Sequence, residues 1–198
     1  MSIADAQQLW SEPDPERWTA ALEQYPSVVA AQHIAGLIEL DDWYRGELPR
    51  SIADRSPPFL ERAELVRLTR WKMTRGEWRA RNLALVQSNR DADVRTATME
   101  AFEMAPDPRL PVVRLAKLAG VGAATASAAL AAFCPDLYPF LDELVGAAVR
   151  QLGEPKFTVP YYVRYAEALR ERAAVLGADW KAQAVGLALW SAAGGKFG

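Results

Sequence analysis

The stretch from Leu118 to Asp142, LAGVGAATASAALAAFCPDLYPFLD, places a glycine turn before an alanine-rich run and ends on an aspartate. Glycines permit backbone conformations that side chains block, and a turn that opens a helix presents amide N–H groups. Such amides hold a phosphate oxygen without a basic side chain. The pattern predicts an anion site at Gly120, Val121, Gly122, Ala123 and Thr125, with a glycine turn between two packed helices as the alternative.

The composition limits what kind of protein surrounds this turn. Of 198 residues, 51% are hydrophobic, which is enough to bury a substantial core. A net charge of -2 and a pI near 5.6 give no global attraction to nucleic acid, so binding would need a local patch. The one cysteine, Cys134, excludes an internal disulfide or an iron–sulfur cluster built from this chain alone. We expect a cytoplasmic protein without a membrane span, cofactor or metal.

Helices are expected to position these residues, because Ala, Leu, Arg and Glu dominate and prolines separate the segments. The fold class predicted is therefore all-α. Predicted helices cover residues 15–24, 26–41, 59–73, 77–87, 93–104, 161–176 and 179–192, with a proline-rich connection over residues 46–59. Residues 1–54 are predicted to form an N-terminal helical segment and residues 55–198 the main helical domain, or both form one continuous domain.

The glycine turn fits a helix-hairpin-helix, since Leu115 and Leu118 share one helix face and Ala126 and Ala129 permit close packing of the next helix. The longer pattern L-x-G-V-G-x-x-T-A, an apolar helix and P-F-x-D resembles the helix-hairpin-helix DNA glycosylase superfamily. The matching residues, within about residues 111–149, are Leu118, Gly120, Val121, Gly122, Thr125, Ala126, Pro139, Phe140 and Asp142.

The resemblance implies a two-lobed helical bundle that binds double-stranded DNA and receives a flipped nucleotide between its lobes. It also implies that the Asp142 carboxylate assists base departure by stabilising positive charge on the sugar. The chain is thus similar to a monofunctional DNA N-glycosylase of base excision repair. A non-catalytic member that binds DNA or a protein is the alternative, and a helical interaction protein without a nucleic-acid role is a second alternative.

Three positions depart from the family pattern. Bifunctional members carry a lysine immediately before the T-A pair, and Ala124 stands there, so lysine-based lyase activity is not expected. The His or Asn two residues after the aspartate is Leu144, and the usual arginine five residues after it is Ala147. These departures weaken the enzyme interpretation.

Asp142 has a structural interpretation as well, because LDELVGAAVRQL is typical of a helix that begins at Leu141 or Asp142. Aspartate is a favoured N-cap residue, and a cap position leaves the carboxylate at the helix start, so the two roles are compatible. Tyr138 and Phe140 flank this position as candidate pocket residues, although aromatics beside a proline are more often part of a core.

One strongly basic stretch, RLTRWKMTRGEWRARNLALVQSN, spans residues 67–89. Its candidate phosphate or cleft contacts are Arg70, Lys72, Arg75, Arg79 and Arg81. Trp71 and Trp78 are candidate pocket or stacking residues, with burial in the core as the alternative. His33 is interpreted as a structural imidazole on an apolar helix, and Cys134 as a small buried hydrophobe.

Overall fold

The computed structural model describes residues 1–196, and over these residues the chain is a bundle of helices without a β-strand, which confirms the all-α class. The helices are α1 Ile3–Trp10, α2 Pro15–Glu23, α3 Tyr25–Ala31, α4 Leu37–Asp42, α5 Leu48–Ala53, α6 Arg62–Arg75, α7 Ala80–Gln87, α8 Asp91–Glu103, α9 Leu110–Leu115, α10 Ala123–Phe133, α11 Glu143–Ala148, α12 Val159–Leu176 and α13 Ala182–Ala192. A π-helical turn, Trp43–Glu47, joins α4 to α5, and a 3-10 turn, Arg150–Leu152, follows α11.

Local side-chain hydrogen bonds fix the starts of several helices. The Asp14 carboxylate accepts the Glu16 N–H at 3.0 Å, and Pro15 takes the first turn of α2, as predicted. Helix α6 begins with a capping box in which the Glu64 carboxylate accepts the Glu61 N–H at 2.8 Å. The same carboxylate accepts two N–H groups of Arg55, each at 2.8 Å. These bonds anchor the helix that carries four of the six cations of the basic stretch.

The prediction of one helix over residues 26–41 is wrong. Helix α3 ends at Ala31 and α4 begins at Leu37. Between them, His33 (φ 54°) and Gly36 (φ 75°) have left-handed backbone, which an α-helix does not accommodate. His33 consequently lies exposed in a turn rather than on a helix.

The predicted connection over residues 46–59 is partly helical. Pro49 lies in the first turn of α5, where the missing N–H costs nothing. Helix α1 was not predicted, although Ser2 followed three residues later by Asp5 is a capping pattern, and the Ser2 hydroxyl does accept the Asp5 N–H at 3.3 Å. In the basic stretch, α6 continues through Arg75 and the interruption before α7 falls at residues 76–79.

Helix α10 lies inside the core, and nine of its eleven residues are buried. Its alanines allow α5, α6 and α9 to pack against it, and the Tyr44 hydroxyl donates to the Ala128 carbonyl at 2.8 Å. Helices α1 and α2 pack against α13, and one buried cluster runs from Ala6 to Ala193. The domain boundary near residue 54 stays a prediction. Within residues 1–196, no helix combines the length and the apolar character needed to cross a bilayer.

Candidate functional site

A cavity of about 270 Å³, here called the Asp142 cleft, opens where three segments meet. The segments are the end of α6 with the loop that follows it, the start of α10, and the approach to α11. Residues from all three line the cleft together with side chains from later in the chain: Lys72, Arg75, Gly76, Glu77, Arg79, Asn82, Gly122, Ala123, Ala124, Thr125, Phe140, Leu141, Asp142, Glu143, Leu144, Phe157, Trp190 and Lys196. The structure thus brings Asp142, the start of α10 and part of the basic stretch to one place. Gly120 and Val121, which the sequence predicted as anion-binding residues, do not line the cleft.

Other residues singled out in the sequence lie elsewhere. Trp71 and Tyr138 are fully buried in the core and do not line the cleft. Arg70 lines a separate open groove on α6, and Arg81 is exposed on α7. Trp78 is 57% exposed, which contradicts the alternative that made it a core residue.

The glycine turn is held against α7 by Asn89. The Asn89 amide donates to the Ala119 carbonyl at 2.9 Å, and its oxygen accepts the Ala119 N–H at 2.9 Å. Gly120 has a φ of 73°, and a Cβ there would lie 2.6 Å from the Asn82 carbonyl oxygen and 2.9 Å from the Val86 nitrogen. Gly120 is therefore required by close packing of the turn on α7.

Close packing does not require glycine at position 122, so Gly120 and Gly122 can be compared to test how the turn packs on α7. Its φ is -102°, and a Cβ there would meet no atom within 4 Å. We expect Gly120→Ala to lower the free energy of unfolding by about 2 kcal/mol or more, and Gly122→Ala, which places a less favourable alanine at the N-cap but adds no close contact, to lower it by about 1 kcal/mol or less. Urea unfolding of both variants measures the difference, and equal costs would contradict this account.

The start of α10 forms one wall of the cleft. Gly122 is its N-cap residue, with extended backbone and no side-chain cap, and its carbonyl accepts the Ala126 N–H at 2.9 Å. The first amides of a helix have no partner within that helix, and the helix dipole makes this end positive. Gly122, Ala123 and Ala124 line the cleft, so this wall suits an anionic group.

Asp142 both caps α11 and lines the cleft. Its Oδ1 accepts the N–H groups of Leu144 at 2.9 Å and Val145 at 3.5 Å, which confirms the helix-cap interpretation. Its Oδ2 accepts Nη2 and Nε of Arg75 at 3.2 and 3.4 Å. The side chain is 12% exposed. The carboxylate is thus held in one orientation by contacts to both of its oxygens.

Arg75 is a buried residue in this structure, unlike the other cations of the basic stretch. Its side chain is 4% exposed, and its guanidinium carbon lies 4.0 Å from the centroid of the Trp190 ring. Its Nη1 donates to the Tyr25 hydroxyl oxygen at 2.5 Å. Arg75 therefore joins Asp142 to a network in the core.

That core network centres on Asp41, which sequence analysis missed together with Tyr25 and Arg45. Asp41 is 5% exposed, and it accepts the Tyr25 hydroxyl at 2.9 Å, Trp71 Nε1 at 2.8 Å and Arg45 Nε at 2.9 Å. Burial raises the pKa of Tyr25 against the opposing effect of the two arginines, so its phenol stays protonated and donates. The network holds Arg75, and through it Asp142, in place.

Four of the remaining charged side chains of the cleft form two ion pairs at its surface. Arg79 pairs with Glu77 at 2.6 Å, and Lys196 pairs with Glu143 at 3.5 Å. Aromatic surface is also present, because Phe140 and Trp190 line the cleft from the core while Phe157 is 52% exposed. Trp190 and Phe157 were not predicted as cleft residues, since nothing in the sequence near them marks their distance from Asp142.

Residues 1–196 contain no group of three or more His, Cys, Asp or Glu side chains arranged to hold a metal ion. Comparison of the chain with protein-family models, with curated proteins and with solved structures gave no match.

Proposed function

We propose that this protein binds double-stranded DNA and receives an unpaired nucleotide in the Asp142 cleft. The observation that carries the proposal is that helix-start amides, basic side chains and a carboxylate from three separate segments line one cavity. A nucleotide offers a phosphate to the amides and cations, a base to the aromatic rings, and a sugar between them. A local arrangement of this kind supports DNA binding by a chain whose net charge is -2.

In this proposal α9, the turn at residues 116–122 and α10 act as the helix-hairpin-helix of a two-lobed glycosylase-like bundle. Two contacts support it. Gly120 packs on α7 so closely that no side chain fits, and Gly122, the N-cap residue of α10, lines the cleft. The turn is rigid where it meets the protein and accessible where a phosphate would bind.

The activity we propose first is base release by a monofunctional N-glycosylase that uses Asp142. Breaking the bond between base and sugar develops positive charge on the sugar, and a fixed carboxylate stabilises that charge without having to reorient. Asp142 is fixed, because the α11 amides hold Oδ1 and Arg75 holds Oδ2. The same carboxylate can orient the attacking water.

The ion pair with Arg75 favours a second candidate, DNA binding without base release. The Arg75 guanidinium, 3.2 Å from Oδ2, offsets the negative charge that would stabilise the sugar cation. Ala124, Leu144 and Ala147, which replace polar or charged residues of the family pattern, agree with this candidate. Measuring base release by the wild-type protein distinguishes N-glycosylase activity from DNA binding without base release.

Ala123→Pro tests the role of the α10 amides in DNA binding. Proline is well accepted at the first position of a helix, and the extended backbone of Gly122 (ψ -177°) suits a following proline. The substitution removes one N–H donor while the helix remains. We expect the Kd for duplex DNA, measured by fluorescence anisotropy at several salt concentrations, to rise about tenfold or more.

Gly122→Ala is the matched control, because it keeps every amide of the wall and its Cβ meets no neighbouring atom within 4 Å. We expect its affinity for DNA to stay close to wild type. If Ala123→Pro and wild type bind DNA with equal affinity, the helix-start amides do not contribute to DNA binding. Absence of binding by wild type at low salt would overturn the proposal as a whole.

A further inference from the structure

A second surface, here called the α6 groove, lies on a different side of α6 from the Asp142 cleft. It has a volume of about 590 Å³ and is lined by residues of α4, α6 and the end of α7. Arg70 lines the groove, whereas Lys72 lines the cleft. Side chains two positions apart on an α-helix point about 200° apart around its axis. The groove is therefore a separate surface, and the proposed function does not use it.

The groove concentrates positive charge. Three arginines and one glutamate line it, which gives it a net charge of +2 in a chain whose net charge is -2. Arg62 donates one N–H to the Gln87 carbonyl at 3.2 Å, and the Arg70 side chain has no hydrogen bond or ion pair among residues 1–196. A guanidinium has five N–H donors, so both exposed arginines keep donors for a ligand.

Arg67, the third arginine, is held in place by an aromatic ring. Its guanidinium carbon lies 4.5 Å from the centroid of the ring of Trp43, which is buried. Its Nη2 lies 3.6 Å from Oε1 of Glu39, whose side chain is 82% exposed. An exposed ion pair contributes little to stability, so the carboxylate of a ligand can take the place of Glu39. Stacking leaves the in-plane N–H groups free, and these bind a carboxylate with two parallel hydrogen bonds.

We propose that the α6 groove binds an acidic amphipathic helix of a partner protein. Leu40 and Val66 are half-buried and Ala63 is exposed, so the groove has an apolar part beside its arginines. An acidic peptide supplies carboxylates for the arginines and aliphatic side chains for the apolar residues. A nucleic-acid backbone offers mainly charge to such a surface, and Glu39 repels its phosphates.

The spacing of the groove residues suits a helical partner. Arg62, Val66 and Arg70 follow one another at intervals of four, so they form one ridge along α6. At about 1.5 Å per residue, the distance from Arg62 to Arg70 along the helix is about 12 Å, or two turns of a partner helix. The proposal does not depend on DNA binding, because the α6 groove and the Asp142 cleft share no lining residue.

Fluorescence anisotropy with a designed peptide tests the proposal. The probe is a fluorescein-labelled helix of about 14 residues, with leucines on one face and glutamates on both sides of them. A second peptide has the same composition in an order that leaves no apolar face. We expect the amphipathic peptide to bind wild-type protein at low salt with a Kd of about 100 μM or lower, and the second peptide to bind at least about tenfold more weakly.

Variants of the protein locate the binding. Arg70→Gln breaks no side-chain hydrogen bond or ion pair within residues 1–196 and is expected to raise the Kd for the amphipathic peptide at least about fivefold. Ala63→Gln, at an exposed helix position, fills part of the groove without changing its charge and is expected to have a similar effect. Arg164→Gln is the control, because Arg164 is exposed on α12 and does not line the groove. We expect its Kd to stay within about twofold of wild type.

The proposal is overturned if the amphipathic peptide does not bind at about 1 mM, or if both peptides bind equally. It is also overturned if Arg70→Gln binds the peptide as wild type does, or if Arg164→Gln weakens binding as much as Arg70→Gln. Displacement of the peptide by duplex DNA, with Arg70→Gln lowering the affinity for duplex by the same factor, would assign the groove to DNA and reject the proposal. Absence of DNA binding by wild type contradicts only the proposed function, and the peptide measurement still decides on the α6 groove.

Discussion

Replacing Asp41 with alanine is expected to lower the free energy of unfolding by about 3–5 kcal/mol. Three donors would lose their acceptor at once: the Tyr25 hydroxyl, Trp71 Nε1 and Arg45 Nε. Arg45, whose side chain is 22% exposed, would also keep a positive charge without its carboxylate partner. Removing one member of a buried ion pair costs far more than the pair itself contributes, because the remaining charge stays poorly solvated.

Asp42 supplies a matched control one residue along the chain. It is exposed at the end of α4, so we expect Asp42→Ala to change the free energy of unfolding by less than about 0.5 kcal/mol. Urea denaturation of wild type and both variants at neutral pH, with one slope fitted to all three curves, gives the comparison. A cost for Asp41→Ala as small as that for Asp42→Ala would show that the network contributes little to stability.

Asp41→Ala is also expected to alter the Asp142 cleft, because the buried network connects Asp41 to Asp142. An isolated core contact would have no such effect. Asp41 accepts from Tyr25, Tyr25 accepts from Arg75, and Arg75 holds Asp142 Oδ2. When Asp41 is removed, Tyr25 is free to turn away and Arg75 loses one of its fixed partners. The candidate catalytic carboxylate thus depends on an aspartate that does not line its cleft.

Local sequence signals were sufficient for one part of the site, for the start of another helix and for the fold class. Asp142 was predicted as a helix cap because an aspartate precedes an apolar helical pattern, and a cap forms within four residues of chain. The start of α2 at Pro15 is another such case. The all-α class followed from composition and periodicity, which need no knowledge of distant contacts.

The features that sequence analysis missed depend on contacts between residues far apart in the chain. Arg75 and Arg79 carry the same charge four residues apart, yet Arg75 is buried beside Trp190 while Arg79 is exposed. Trp71 and Trp78 divide in the same way between core and surface. Burial of a charged or aromatic side chain depends on which distant elements pack over it, and short-range periodicity does not contain that information.

Asp142→Asn is the substitution expected to change activity most. If the protein releases a base from DNA, we expect the single-turnover rate of release to fall at least about 100-fold, because the neutral amide does not stabilise a sugar cation. Asparagine is also a good N-cap, so the Leu144 and Val145 amides keep an acceptor and α11 retains its start. Duplex binding, which we propose to rely on the α10 amides and the basic side chains, is expected to persist.

Two features of the site make this result interpretable. Arg75 loses its carboxylate partner in Asp142→Asn, so rates are measured well below the melting temperature, with the folded fraction followed by circular dichroism. Glu143→Gln removes the neighbouring carboxylate, which also lines the cleft but pairs at the surface with Lys196, and is expected to keep its rate within about threefold of wild type. Base release that survives in Asp142→Asn would assign catalysis to another group. A different outcome is that wild-type protein binds a panel of damaged and mismatched duplexes but releases no base from them. In that case Asp142, paired with Arg75, would have a structural role in a DNA-binding cleft.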